Sequence, residues 1–218
     1  MTIIPERLTA LDTITLDDGG HTNFEEGACL LEAVSYVAGE PFSDHPQCAS
    51  QILGAFGRKL NDTLPHDKRQ HLVPLVPRIV GTANDGQDQA RGLMAADWLI
   101  RVYTPTWLRL AGQEEQAVSL ETLPRQASWD DVETAVPTVR EAKKKAAAAG
   151  VAAGVAAWVA AGVAAWDAAG VAARAAAGVA ARDAARDAAR AALQPTVDAL
   201  QDSAIELFTN MIDPQTAV

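Results

Sequence analysis

The sequence predicts an all-α protein: a multi-helix body over residues 1–136, a very long alanine-rich helix over 137–194 and a C-terminal amphipathic helix over 195–218. Apolar residues recur at helical spacing through most of the body. Outside "DTITL" at 12–16, a candidate short strand, no segment has the alternating, β-branched pattern of strands. From Gly150 to Leu193, 23 of 44 residues are alanine, the best helix former.

The first two helices of the body are predicted from their start signals. Asn23 is a candidate N-cap for a helix over 24–38, which the following glycine and a nearby proline end. A second helix is expected over 43–62, with Asp44 or the serine before it as its cap. Its apolar face would include Ile52 and three further residues, Leu53, Phe56 and Leu60.

Prolines divide the middle of the body. A third helix starts at Pro65, and we expect Pro74 and Pro77 to kink or shorten it. The next helix, around "ARGLMAADWLIRVY", is expected to be central and buried on most sides, and Pro105 is expected to break it. Its apolar residues are Leu93, Met94, Trp98, Leu99, Ile100, Val102 and Tyr103.

Short helices are predicted at "EEQAVSLETLP" and "SWDDVETAV". Pro195 is then expected to interrupt the chain before the C-terminal helix. That helix has an apolar face that should pack on the body or on a neighbouring copy. The residues of this face are Val197, Leu200, Ala204, Leu207, Phe208 and Met211.

The alanine-rich segment repeats a four-residue unit, x-z-Ala-Ala, ten times from Gly150 and ends with an imperfect eleventh unit at 190–193. Four residues turn an α-helix through about 400°, so the Ala-Ala stripe shifts about 40° per unit and winds right-handedly. Small residues allow another backbone to approach closely.

An unbroken helix over 138–193 would be about 84 Å long. A body of this size cannot cover that length, so the sequence predicts a homo-oligomer. Candidate interface residues are Trp158, Gly162, Ala164, Trp166 and Gly170. The alternative explanation is that the repeat arose by low-complexity sequence drift and that the protein merely tolerates the resulting helix.

The formal net charge of −10 is unevenly distributed. The segment 138–193 contains eight basic and four acidic residues, so it carries +4 and the rest of the chain −14. An acidic body argues against nucleic-acid binding, and the basic helix could dock on an acidic body instead.

The long uncharged run at 146–166 contains few strong membrane inserters, so no membrane span is predicted. Two cysteines and no secretion signal predict a cytoplasmic protein with reduced thiols.

A candidate metal site lies near the N-terminus. Cys29 and Glu32 are three residues apart on one predicted helix, and His45 and Cys48 form an H-x-x-C spacing at the start of the next. Antiparallel helices could bring all four together, with His21 and Asp44 nearby, and these are ligands that zinc or iron uses. The simpler interpretation is that no cofactor binds: both cysteines are small core residues, and His45 bonds locally. A third is that Cys48, near a helix N-terminus, is a nucleophile with a lowered thiol pKa.

A second candidate site consists of charges within the predicted buried helix. Asp97 and Arg101 are four residues apart, and Arg78 could join them. A buried ion pair is one interpretation, and a charge pair that binds a ligand is the other. The sequence contains no phosphate-binding loop, dinucleotide fingerprint or metalloprotease motif.

Five stretches are distributed over nearly the whole chain: "EEGACLLEAVSYVAGEPFSDHPQCAS", "LVPRIVGT", "LMAADWLIRVYTPTWLRLAG", the alanine-rich tract and "LQPTVDALQDSAIELFTNMI". Together they resemble a group of alanine-rich proteins from actinobacteria and their phages. The resemblance implies a recurring architecture and a phage or mobile-element setting, and it implies no activity. We therefore expect a non-enzymatic oligomeric interaction protein that binds or sequesters a ligand or a host protein. The alternative is a metal-dependent enzyme that uses the Cys29, Glu32, His45 and Cys48 cluster.

Overall fold

The computed structural model describes residues 3–148 and 176–214. Within these ranges the chain is mostly helical and contains no β-strand, which confirms the all-α class. "DTITL" contributes a single isolated bridge, between Leu16 and Ala28. The candidate interface residues, which are Trp158, Gly162, Ala164, Trp166 and Gly170, lie outside the described residues. No helix in the described ranges is long and apolar enough to cross a lipid bilayer.

The α-helices of the described residues are α1 (Pro5–Leu8), α2 (Leu30–Ala38), α3 (Gln51–Thr63), α4 (His66–Arg69), α5 (Val76–Ile79), α6 (Asp88–Trp98), α7 (Thr104–Leu110), α8 (Glu114–Glu121), α9 (Trp129–Ala148) and α10 (Ala176–Ile212). Short 3-10 turns follow α1 (Thr9–Asp12) and α4 (Gln70–Leu75), and a π-turn (Leu99–Tyr103) joins α6 to α7.

Two helices begin later than the sequence predicts. α2 begins at Leu30 rather than at 24, because Cys29 and Glu32 form its capping box, while Asn23 caps only a turn by accepting from the Glu26 N–H at 3.1 Å. α3 begins at Gln51 rather than at 43, because Ser50 is its N-cap and accepts from a backbone N–H of the first turn. The 43–49 segment is therefore irregular.

The prolines act differently at different places. Pro74 and Pro77 divide the third predicted helix into short pieces, as expected. Pro105 does not end the next helix, because the preceding π-turn accommodates it: the Thr104 N–H donates to the Leu99 carbonyl, five residues back. Pro195 lies inside α10, so the predicted interruption there is wrong. A proline removes one helix hydrogen bond without forbidding the helix, and the alanines before it favour continuation.

The chain divides into two compact units, Met1–Ala95 with Gln201–Val218 and Ala96–Leu200. These divisions differ from the domain boundaries expected after 136 and 194. The first unit has a core built from α2, α3, the turns around α5 and the end of α10. Its fully buried residues include Leu31, Val34, Leu53, Ile79, Phe208 and Met211.

The second unit has a smaller described core. It consists of Leu108, Ala117, Leu120 and Ala142, with Ile100, Leu123 and Val139 packed around them. The burial expected on most sides of the α6 to α7 helix is wrong, because the side chains of Leu99 and Val102 are 47% and 38% exposed.

Candidate functional site

Cys29 and Glu32 are neighbours, as the sequence predicts, but they lie at the start of α2 rather than within it. Both are buried, at 3% exposed. The Glu32 Oε2 atom accepts from the Cys29 backbone N–H at 2.8 Å, and the Cys29 side chain faces the backbone N–H of Glu32. This reciprocal arrangement satisfies two N–H groups that the helix itself leaves unpaired.

The imidazole that meets Glu32 belongs to His21, not to His45. The His21 Nδ1 atom lies 2.8 Å from Glu32 Oε2, and the His21 backbone N–H donates to Glu32 Oε1 at 2.8 Å. Gly27, with φ 138°, packs so closely on the ring that an added Cβ would lie 2.8 Å from His21 Cδ2. One buried carboxylate thus contacts both the backbone and the ring of His21 in the loop before α2.

His45 and Cys48 lie apart from this cluster. The His45 Nδ1 atom pairs with Asp44 Oδ1 at 2.6 Å, and the His45 side chain is 66% exposed. The Cys48 carbonyl accepts from the backbone N–H groups of Gly81 and Ala83, both at 3.0 Å. In the described part of the chain, no three His, Cys, Asp or Glu side chains are grouped as metal ligands. The structure therefore does not bring Cys29, Glu32, His45 and Cys48 together as one site.

The thiols are poorly suited to nucleophilic chemistry. Burial raises the pKa of Cys29 to about 12, and the neighbouring Glu32 contributes to the shift. Burial raises the pKa of Cys48 to about 11, with a further contribution from Glu40. Cys48 precedes the Ser50 cap and lies outside α3. The expected lowering of its thiol pKa by a helix N-terminus is therefore wrong.

Asp97 and Arg101 form the predicted ion pair in the second unit, but the pair is half-buried rather than buried, with side chains 23% and 29% exposed. The Arg101 Nη1 atom lies 3.3 Å from Asp97 Oδ1, which also accepts from the Gln126 backbone N–H at 2.8 Å. The Arg101 Nε and Gln126 Oε1 atoms are buried and have no hydrogen-bond partner among the described residues. Arg78 is an exposed residue of α5 in the first unit. Ligand binding stays a prediction for these three residues, Asp97, Arg101 and Arg78.

The buried charge cluster that sequence reasoning missed is centred on Arg91, which is fully buried in the first unit. Its guanidinium makes a bidentate pair with Asp85, at 2.7 and 2.6 Å, and contacts Asp88 Oδ1 at 3.1 Å. The Arg91 hydrogen bond holds the pKa of Asp85 below its usual value. The signal was present in "DGQDQAR", where Asp85, Asp88 and Arg91 follow one another at intervals of three.

The second unit also exposes apolar side chains along one helix. Leu99, Val102 and Leu110 are 47%, 38% and 44% exposed. With Thr106 between them, their spacings of three, four and four residues place them along one face of the helix that the π-turn makes continuous. Leu99 and Leu110 are about 16 Å apart along the axis at 1.5 Å per residue. We call these three residues the apolar row.

A cavity of about 630 Å³ lies in the first unit, within the size range of small-molecule sites. It is bounded by the N-terminal half of α3, the loop before α3 and the segment leading into α6. Gln51, Gly54 and Arg58 line it from one face of α3, and Asp88 lines it from the first residue of α6. The other lining residues include His45, Ser50 and Asn84.

Comparison of the chain with models of protein families, with curated proteins and with solved structures gives no significant match.

Proposed function

We propose that this protein is a non-enzymatic, oligomeric interaction protein. The observation that carries the proposal is the apolar row of Leu99, Val102 and Leu110, which is 38–47% exposed among the residues that the structure describes. Single exposed apolar residues are ordinary on protein surfaces, but an aligned row is typical of a face that another surface covers. Val118 and Trp129 of the same unit are also exposed, at 42% and 47%.

The occupant that we propose for this face is a second copy of the chain. The charge distribution supports self-association, since residues 138–193 carry +4 and the rest of the chain −14, so unlike parts of two copies attract. The alanine-rich repeat adds small residues that permit close backbone approach. In this proposal the contact includes Trp158, Gly162, Ala164, Trp166 and Gly170 of a long alanine-rich helix.

Two broader parts of the hypothesis stay predictions. The association would serve to bind or sequester a ligand or a host protein, in a phage or mobile-element setting suggested by the family resemblance. The alternative function, a metal-dependent enzyme, gains no support from the separated positions of His45 and Glu32. Elemental analysis of the purified protein tests it, because stoichiometric zinc or iron would favour the enzyme.

Light scattering on the full chain tests self-association. We expect the parent to be oligomeric and Ala164→Glu to dissociate it, because an unpaired carboxylate in a tight contact costs several kcal/mol. Ala188→Glu is the matched control, since it places the same charge in the Arg- and Asp-rich half of the repeat and should do less. Val102→Glu should also weaken the oligomer if the apolar row belongs to the contact.

A parent that is already monomeric would contradict the proposal. Equal effects of Ala164→Glu and Ala188→Glu would mean that the repeat is tolerated helix rather than a contact surface. An oligomer that Val102→Glu leaves intact would remove the apolar row from the interface.

A further inference from the structure

A glycine in the cavity wall has no packing reason to be a glycine. α3 contains two glycines in its interior, each of which costs about 1 kcal/mol relative to alanine. At Gly57 an added Cβ would lie 3.0 Å from side-chain atoms of both Leu31 and Phe208, so tight packing explains its absence. At Gly54 the nearest atom would be Arg58 Nη1 at 3.4 Å, an ordinary contact with the end of a flexible side chain. The absence of a side chain at Gly54 leaves the cavity open.

The cavity is lined by side chains of opposite charge, Arg58 and Asp88. The Arg58 guanidinium donates to the Asp44 carbonyl at 2.9 Å, and its Nε atom is 4.0 Å from Asp44 Oδ2. A guanidinium has five N–H donors, so others remain for a ligand. The other charged lining residue is Asp88, whose Oδ1 atom accepts from the Ser50 hydroxyl and from Arg91 and whose side chain is 48% exposed.

This charge arrangement disfavours ligands that carry only negative or only positive charge. Asp88 already places a carboxylate beside Ser50, the N-cap of α3, so a simple anion there would meet a like charge. A simple cation could pair with Asp88 but would be repelled by Arg58, which lines the same cavity. A ligand with a positive group for Asp88 and a negative group for Arg58 is attracted at both ends.

Both charged side chains line the same cavity, whose volume of about 630 Å³ has room for the backbone and the side chain of an amino acid.

We propose that this cavity binds a small zwitterion of the amino-acid class, with its carboxylate on Arg58 and its ammonium on Asp88. The proposal does not depend on self-association, so each can fail without the other. It also differs from the Asp97, Arg101 and Arg78 site predicted from the sequence.

Isothermal titration of the full chain with each of the twenty L-amino acids, up to about 10 mM to include weak affinities, tests the proposal. At least one should bind. Its methyl ester, which lacks the carboxylate, and its N-acetyl derivative, which lacks the ammonium, should each bind at least tenfold more weakly. The proposal would be overturned if either derivative bound with the same affinity as the parent amino acid. It would also be overturned if none of the twenty amino acids bound.

Gly54→Leu is the structural test, because it fills the cavity with a residue that favours the helix and should leave the fold intact. It should abolish binding without lowering the melting temperature. Ala55→Leu is the matched control: Ala55 is the next residue, exposed and outside the cavity lining, so binding should equal that of the parent. Unchanged affinity in Gly54→Leu would place the ligand elsewhere and overturn the assignment. Arg58→Gln provides a second variant and should weaken binding at least tenfold.

Discussion

Arg91 connects three parts of the first unit through one side chain. Besides Asp85 and Asp88, its Nε and Nη2 atoms donate to the carbonyls of Met211 and Ile212 at 2.9 and 3.2 Å. A helix leaves its last carbonyls without intrahelical partners, so Arg91 satisfies groups that would otherwise be buried unpaired at the end of α10. The carboxylates compensate for removing a charge from water.

We expect Arg91→Leu to lower the free energy of unfolding by about 3–5 kcal/mol, the usual cost of leaving a buried charge cluster without one partner. Arg91→Lys should recover little of this, because an ammonium cannot reproduce the bidentate geometry. Arg78→Leu is the control, since Arg78 is exposed in the same unit and should change stability by less than about 0.5 kcal/mol. Urea unfolding followed by circular dichroism gives all three values. Equal losses at positions 78 and 91 would contradict the role assigned to Arg91.

The residues near α2 include one contact that the sequence pattern predicted and one that it did not. The spacing of Cys29 and Glu32 correctly indicated that the two residues are neighbours, although the helix was expected to begin six residues earlier. It did not indicate that His21 would fill the remaining acceptor positions of Glu32, because that contact depends on a loop whose path is set by Gly27 and by the core beneath it.

At the scale of elements, local capping decided where helices begin. Several residues of the 20–50 region are acceptable N-caps, and the two that act, Cys29 and Ser50, lie at the edge of the buried core. Burial of the following apolar residues selects the start that places them inside. The π-turn before Pro105 is another element-level outcome, because it lets a helix continue past a proline and turns the apolar row outward.

The two glycines of α3 provide an element-level prediction. Gly54→Ala should stabilise the protein by up to about 1 kcal/mol, through the higher helix propensity of alanine. Gly57→Ala should gain less or destabilise by about 1–3 kcal/mol, because its Cβ would press on Leu31 and Phe208 at 3.0 Å. Thermal unfolding of the two variants makes the comparison. A more stable Gly57→Ala than Gly54→Ala would show that the α3 contacts are looser than described.

At the scale of the whole molecule, the first unit is assembled from both ends of the chain. Phe208 and Met211 are fully buried, and they belong to the 201–218 part of a unit whose larger part is residues 1–95. Phe208 stacks with Phe56 of α3 at a centroid distance of 5.9 Å, and Lys68 pairs with Asp202 at 2.7 Å. The last turns of α10 are therefore part of this core.

Truncation tests that dependence. A chain ending at residue 200 should lose cooperative unfolding of the first unit, because it lacks Phe208, Met211 and the carbonyls that Arg91 caps. Removing two large core side chains alone costs several kcal/mol. A chain ending at Asp213 is the control and should melt like the full chain, since it retains all of these groups. Circular dichroism melts compare them, and a truncation at 200 with an unchanged melting curve would contradict the described core.

The sequence by itself determined the helical class, the buried face of the C-terminal helix, the effect of Pro74 and Pro77, and the neighbouring positions of Cys29 and Glu32. These features depend on periodicity and on residues a few positions apart, which the chain order records directly. Only the tertiary structure decided that His45 pairs with Asp44, that the cysteine thiols are buried with raised pKa values, and that Arg91 binds both the 85–88 turn and the end of α10. It also placed Gly54, Arg58 and Asp88 around one cavity. These depend on which distant surfaces meet, and that is set by the shape and burial of the whole core, which no local pattern specifies.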